Sequence, residues 1–168
     1  HTVERIDERA IETRYGPFRL ITYRDRIGRE LHFALVRGQP DATKPTLVRV
    51  HVQNPLADVL HWERADFGVA VTDALELIAE ADCGVLVVLN EPQSADALLA
   101  RVQSAATASS GKGSVAQWRR NGAGAQILAD LGLKSLRVIG TPRRQVGLAG
   151  FGLEVIEYVD AAGVSSPT

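Results

Sequence analysis

Gly84-Val-Leu-Val-Val-Leu89 is the stretch that decides the fold. It is a continuous apolar run of strand length with no polar alternation, as expected of a strand covered on both faces. Such a strand needs helices above and below it. The sequence offers one before it, from about Phe67 to Ala81, where Val71, Ala74, Leu75, Leu77 and Ile78 recur at helical spacing. After it, Ser94 can cap a helix running through Val102, with Asp96 in the first turn. Farther on, Gly124–Leu131 reads as a helix, Ser135–Ile139 as a strand, Pro142–Ala149 as a short helix and Leu153–Val159 as a last strand. Upstream, Phe18–Arg24, Glu30–Val36 and Thr46–Val52 read as three strands of an antiparallel meander. The prediction is an α/β domain: a mixed sheet with flanking helices and an antiparallel N-terminal meander.

The chain has 168 residues, 45% hydrophobic and 23% charged, which suits one globular domain. A formal net charge of −1 provides no basic field, which argues against nucleic-acid binding. No apolar run reaches the ~20 residues of a membrane span. The first residues lack the apolar core of a signal peptide. The single cysteine, Cys83, cannot form an internal disulfide, and the expected location is the cytoplasm. Residues 1–12 read as a linker from a preceding domain, 13–160 as the domain and 161–168 as a disordered tail; the missing initiator methionine fits a piece of a longer protein. The small, polar stretch Ala105–Ser114 reads as a mobile loop.

Several segments, in order, resemble the GTP cyclohydrolase II family. Arg14-Tyr-Gly-Pro-Phe-Arg19 fits its opening, and Arg49-Val-His51 resembles the approach to its active site. Gly122-Ala-Gly-Ala-Gln-Ile-Leu128, with Asp130-Leu-Gly-Leu133 after it, is similar to the family's Tyr-Gly-Ile-Gly-Ala-Gln-Ile-Leu segment. Arg137-Val-Ile-Gly-Thr-Pro-Arg-Arg144 resembles its Leu-Leu-Thr-Asn-Asn-Pro-Arg-Lys loop, and Gly150-Phe-Gly-Leu-Glu-Val-Ile-Glu157 its closing strand. The resemblance spans Thr13 to Val159 and implies the family's fold.

It also implies a reaction: opening of the imidazole ring of GTP with loss of formate and pyrophosphate. That chemistry needs hydroxide on a Lewis acid, a base and a cationic clamp. The family's three zinc cysteines fall on Asn54, Ala65 and Phe67, of which the latter two offer no donor atom. Its Gln-Glu-Gly-Arg falls on Glu91-Pro-Gln-Ser94, without the arginine, and its general-base aspartate falls on Gln117, an amide that takes no proton near neutral pH. The arginine two residues on is kept as Arg119. The resemblance thus implies a vestigial site, with zinc lost and no confident catalytic residue. Arg49, His51, Gln53, Arg119, Thr141 and Arg144 are the candidates for nucleotide or phosphate binding, since guanidinium groups match phosphate geometry; ordinary surface arginines are the bland alternative.

Other residues carry paired readings. His51 and His61 with Asp58 and Asp66 could form a substitute metal site, or be a strand histidine and a surface-loop histidine. Gly122 and Gly124 could offer backbone donors at a helix start, or simply begin a helix. Cys83 reads as structural. Trp62 and Trp118 read as cover for apolar surface, Trp62 in place of lost zinc contacts.

The expected function is a noncatalytic, homodimeric C-terminal domain fused behind a 3,4-dihydroxy-2-butanone 4-phosphate synthase in a riboflavin biosynthesis protein. The alternatives are a nucleotide- or phosphate-sensing module that keeps the GTP pocket, and a hydrolase of altered, zinc-independent chemistry.

Overall fold

The computed structural model describes residues 2–104, 115–142 and 148–167, with side chains from Gly122 onward in the helix Val115–Asp130. The loop Ala105–Ser114 and most of the segment expected as helix Pro142–Ala149 lie outside the described residues.

Strands are β1 (Val3–Thr13), β2 (Gly16–Asp25), β3 (Leu31–Arg37), β4 (Thr46–Val52), β5 (Gly84–Leu89), β6 (Ser135–Ile139), β7 (Glu154–Val159) and β8 (Ser165–Pro167). Helices are α1 (Pro55–Asp58), α2 (Val71–Glu80), α3 (Ala95–Gln103) and α4 (Val115–Asp130). One eight-stranded sheet runs in the order β1-β2-β3-β5-β4-β6-β7-β8. β5, β4, β6 and β7 are mutually parallel, and β1, β2 and β3 join as an antiparallel flank. The expected mixed α/β architecture is what the chain adopts.

Three segments depart from expectation. β4 does not continue the meander: β5 lies between it and β3, parallel to β4. Leu47 and Val48 are buried on opposite faces, so β4 needs cover on both sides and takes a central place. Residues 3–12 of the expected linker 1–12 form, with Thr13, the strand β1, which pairs with β2 along its length except at Ile6. A register shift between Arg5 and Asp7 breaks the alternation, which hides the strand from a period-two reading. In the segment expected as a disordered tail, Ser165–Pro167 pairs with β7.

Each face of the sheet has its own core. On one, Ile127 and Leu128 of α4 pack over Ile21, Tyr23, Val36, Val48, Val85 and Val87. On the other, Ala74 and Ile78 of α2 pack over Phe18, Leu47, Leu86 and Ile139. Both helices ride close to the sheet: a Cβ on Gly84 would stand 2.9 Å from Ile78 Cγ2, and one on Gly124 would stand 3.2 Å from Val50 Cγ1. Gly122 and Gly124 therefore lie inside α4 rather than at a helix start, and Gly124 serves close packing rather than anion capture. Among the described residues no helix is long and apolar enough to cross a membrane.

Candidate functional site

The connection leaving β4 crosses the α2 face, and the one leaving β5 crosses the α4 face. Strand order runs from β4 to β5 on one side and to β6 and β7 on the other, so the carboxyl end of β4, flanked by β5 and β6, is the topological switch point, where open α/β sheets form their ligand crevices. Four sequence candidates gather along this edge. Arg49 and His51 lie on β4, Gln53 follows it with its backbone N–H on Leu89 O at 2.9 Å, and Thr141 follows β6. Gln53 and Thr141 are exposed. Arg119 lies on α4 with its side chain, like those of Gln117 and Trp118, outside the described residues; so does Arg144.

Arg49 is built into the scaffold. Its Nη1 donates to Ile139 O at 3.0 Å and its Nη2 to Val69 O at 3.3 Å, tying the end of β6 to the loop before α2. Two glycines leave room for the guanidinium: a Cβ on Gly140 would stand 3.0 Å from Nη1, and one on Gly68 3.4 Å from Nη2.

His51 is buried, and its Nε2 lies 2.9 and 2.8 Å from the two carboxylate oxygens of Asp58. A carboxylate only accepts, so Nε2 is the donor in this contact. The ring's Nδ1 is buried without a hydrogen-bond partner among the described residues. Asp58 also accepts from Asn54 N at 2.9 Å, and Asn54 Oδ1 accepts from Leu56 N as the N-cap of α1. His51, Asn54 and Asp58 thus form one closed turn at the end of β4. The sequence signal was Asn54-Pro55 with an acid at Asp58, a helix-start pattern.

Beyond it, Arg64 lies between two rings, 4.9 Å from the centroid of Trp62 and 4.6 Å from that of Phe67, which meet edge to face at 5.8 Å. Arg64 donates to both oxygens of Asp66, to Arg101 O and to Ser104 Oγ, so one side chain staples the loop to the end of α3. The hydrogen bond to Asp66 raises the Arg64 guanidinium above its ordinary value, and its counterpart lowers the Asp66 carboxyl. Sequence reading passed over Arg64; the signal is a cation two residues after one aromatic and three before another.

Of the two readings of His51, His61, Asp58 and Asp66, the substitute metal site does not assemble among the described residues. His61 is exposed, and Asp66 is committed to Arg64. Among the described residues the one group of three metal-type donors is Asp25, Glu30 and His32, at the β2–β3 turn. There His32 Nδ1 accepts the backbone N–H of Asn90 at 3.0 Å, so in the neutral ring the proton sits on Nε2, leaving that nitrogen without a lone pair for a cation. Cys83 lies at the amino end of β5, on the opposite edge, where burial pushes its thiol up.

Burial also holds the His32 imidazole below its ordinary value, against the raising influence of Asp25 and Glu30. The unfolded chain takes up a proton near pH 6.5 while the folded chain resists it. The unfolded state then binds more protons, so stability falls as pH drops below about 6.5 and is untouched by this group above it. Urea midpoints measured from pH 7.5 to 5 should fall on acidification, and His32→Gln should make the decline shallower. An equal decline in both proteins would refute this.

An α/β domain with a polar cluster at its switch point defines the class. The chain belongs to the GTP cyclohydrolase II family, whose model matches residues 4–160. It is 42% identical over 172 residues to a 3,4-dihydroxy-2-butanone 4-phosphate synthase of Pseudomonas syringae pv. tomato, a match covering 97% of this chain and 45% of the relative. It is 35% identical to the riboflavin biosynthesis protein RibBA of Chlorobium phaeovibrioides, over 94% of this chain and 41% of that one. Among solved structures it resembles RibBX, a two-domain 3,4-dihydroxy-2-butanone 4-phosphate synthase from A. baumannii, with TM-score 0.68 and 35% identity, over 95% of this chain and 40% of that one. The chain spans less than half the length of these relatives.

The resemblance carries a zinc-ligand pattern onto Asn54, Ala65 and Phe67, and these residues do not fit the metal. The Asn54 carboxamide oxygen is occupied by Leu56 N, Ala65 is an exposed methyl, and Phe67 packs against Trp62 and Arg64.

Proposed function

We propose that this chain is a noncatalytic GTP cyclohydrolase II-like domain, fused behind a 3,4-dihydroxy-2-butanone 4-phosphate synthase domain in a cytoplasmic, homodimeric riboflavin biosynthesis protein. Its role is to assemble, stabilise or regulate the synthase. The observation that carries this reading is the use made of the zinc positions: Asn54 caps α1, and Phe67 belongs to the Trp62–Arg64 cluster. A loop that a metal would clip is held instead by cation–π contacts and an ion pair.

Three measurements test it. The purified full-length protein should release no formate from GTP and should carry no stoichiometric zinc by elemental analysis. Deleting the domain should lower synthase turnover or raise its KM severalfold. Turnover of GTP, or one zinc per chain, would sink the reading.

A second reading has its own support: Arg49, His51, Gln53 and Thr141 share one edge at the switch point. On it, the domain senses a nucleotide or phosphate through these residues with Arg119 and Arg144. GTP should then raise the melting temperature, and Arg119→Ala with Arg144→Ala should abolish the shift. No shift with GTP or inorganic phosphate would reject it.

A further inference from the structure

The β2–β3 turn lies on the same sheet edge as the switch point. Register places the start of β1, the end of β2, the start of β3 and the ends of β5 and β4 in one row. At about 4.8 Å per strand, the turn at the end of β2 stands roughly 10 Å from the end of β5. The chain enters at this corner. Thr2 O accepts from Arg26 N at 2.8 Å, while Thr2 N and Val3 N both donate to Gln126 Oε1 of α4, at 2.8 and 3.1 Å. Thr2 is therefore held between α4 and the turn.

The turn presents apolar side chains to solvent. Ile27 is 65% exposed and Leu31 37%, and Arg24, Arg26 and Arg29 are exposed around them. Polar turn residues would satisfy the backbone equally well. The turn is also rigid. Asp25 Oδ1 accepts from Ile27 N and Gly28 N, Asp25 O accepts from Arg29 N, and Asp25 N donates to Glu30 O. A preformed turn loses little entropy on docking.

We infer that this turn, with Ile27 at its tip and Arg24 and Arg29 around it, is the docking face for the synthase domain tethered ahead of Thr2. The inference rests on the fusion proposed above. It assigns the partner's chemistry: an apolar socket for Ile27 rimmed by carboxylates for the arginines. The tether holds the two faces at high effective concentration, so a small patch suffices. Docking here also reaches the candidate site, because Asp25 and His32 stand 3.9 Å apart and His32 Nδ1 accepts from Asn90 N, the residue after β5. A synthase domain seated on the turn thus borders the rim of the switch-point crevice.

The test is photo-cross-linking in the full-length protein, with a benzophenone side chain at position 27 or, as a control, at Val164, which is 61% exposed beside β8 at the other end of the sheet. Position 27 should cross-link to the synthase domain of the same protein at least about tenfold more than position 164. Ile27→Asp should cut the cross-link from a benzophenone at Leu31 by about tenfold, through the burial of a charge. Equal yields at the two positions, or a position-27 product joining two copies of this domain, would overturn the inference while leaving the fusion intact. A full-length sequence without a synthase domain would instead overturn the fusion and the inference with it.

Discussion

Gly38→Ala should destabilise the domain by at least about 3 kcal/mol and lower its melting temperature by roughly 6–12 °C. Gly38 has a φ of +73°, the left-handed region where an alanine costs about 1–2 kcal/mol. A Cβ there would also stand 2.3 Å from Asp82 O, a backbone atom that cannot swing aside. Relieving that contact forces the chain after β3 away from the segment feeding β5, where Arg37 pairs with Gly84 and Arg37 Nε donates to Ala81 O. Gly152→Ala is the control. Its φ of +74° carries the same conformational cost, but nothing lies within 4 Å of the added carbon. Calorimetry should show the Gly152 variant losing about 1–2 kcal/mol and the Gly38 variant clearly more. Equal losses would mean that the close approach to Asp82 is unimportant.

Arg49→Ala should cost about 3 kcal/mol, because it leaves the carbonyls of Ile139 and Val69 without their charged donor. Arg49→Lys should not restore it, since one ammonium cannot span two carbonyls that a planar fork reaches together. Urea unfolding measures the loss. Hydrogen exchange locates it: the Gly140 amide, bonded to Val159 O at 2.9 Å, should exchange faster as the end of β6 loosens. Any nucleotide-induced shift has to be read against each variant's own melting temperature, so that weakened scaffold and weakened binding are told apart. A lysine variant as stable as the parent would show that a positive charge suffices, and that the two-carbonyl geometry does not matter.

The candidate site was legible in part. Arg49 and His51 stand where their strand was expected to end, and Gln53 and Thr141 lie on the same edge. The partners were not legible. His51 meets Asp58 because α1 turns the chain back on β4, and that turn depends on Asn54 giving its carboxamide to Leu56 rather than to a metal. Arg64 reaches the end of α3, 37 residues along the chain at Arg101, a contact no local pattern encodes.

The amino-acid sequence by itself determined the local and the periodic. The apolar run Gly84–Leu89 made a buried strand, Val71–Ile78 made the helix above it, Ser94 capped α3, and Asn54, Ala65 and Phe67 put no thiolate where the family's zinc pattern falls. Those features depend on side-chain chemistry within a few residues. The tertiary structure alone decided strand order, the place of residues 3–13 and the service of each polar group. β4 sits beside β5 rather than β3 because both need two covered faces; the charged strand β1 exists because β2 offers it a paired edge and Gln126 and Asp130 of α4 hold it. Pairing of that kind is set by what the rest of the chain leaves open, and not by the segment that fills it.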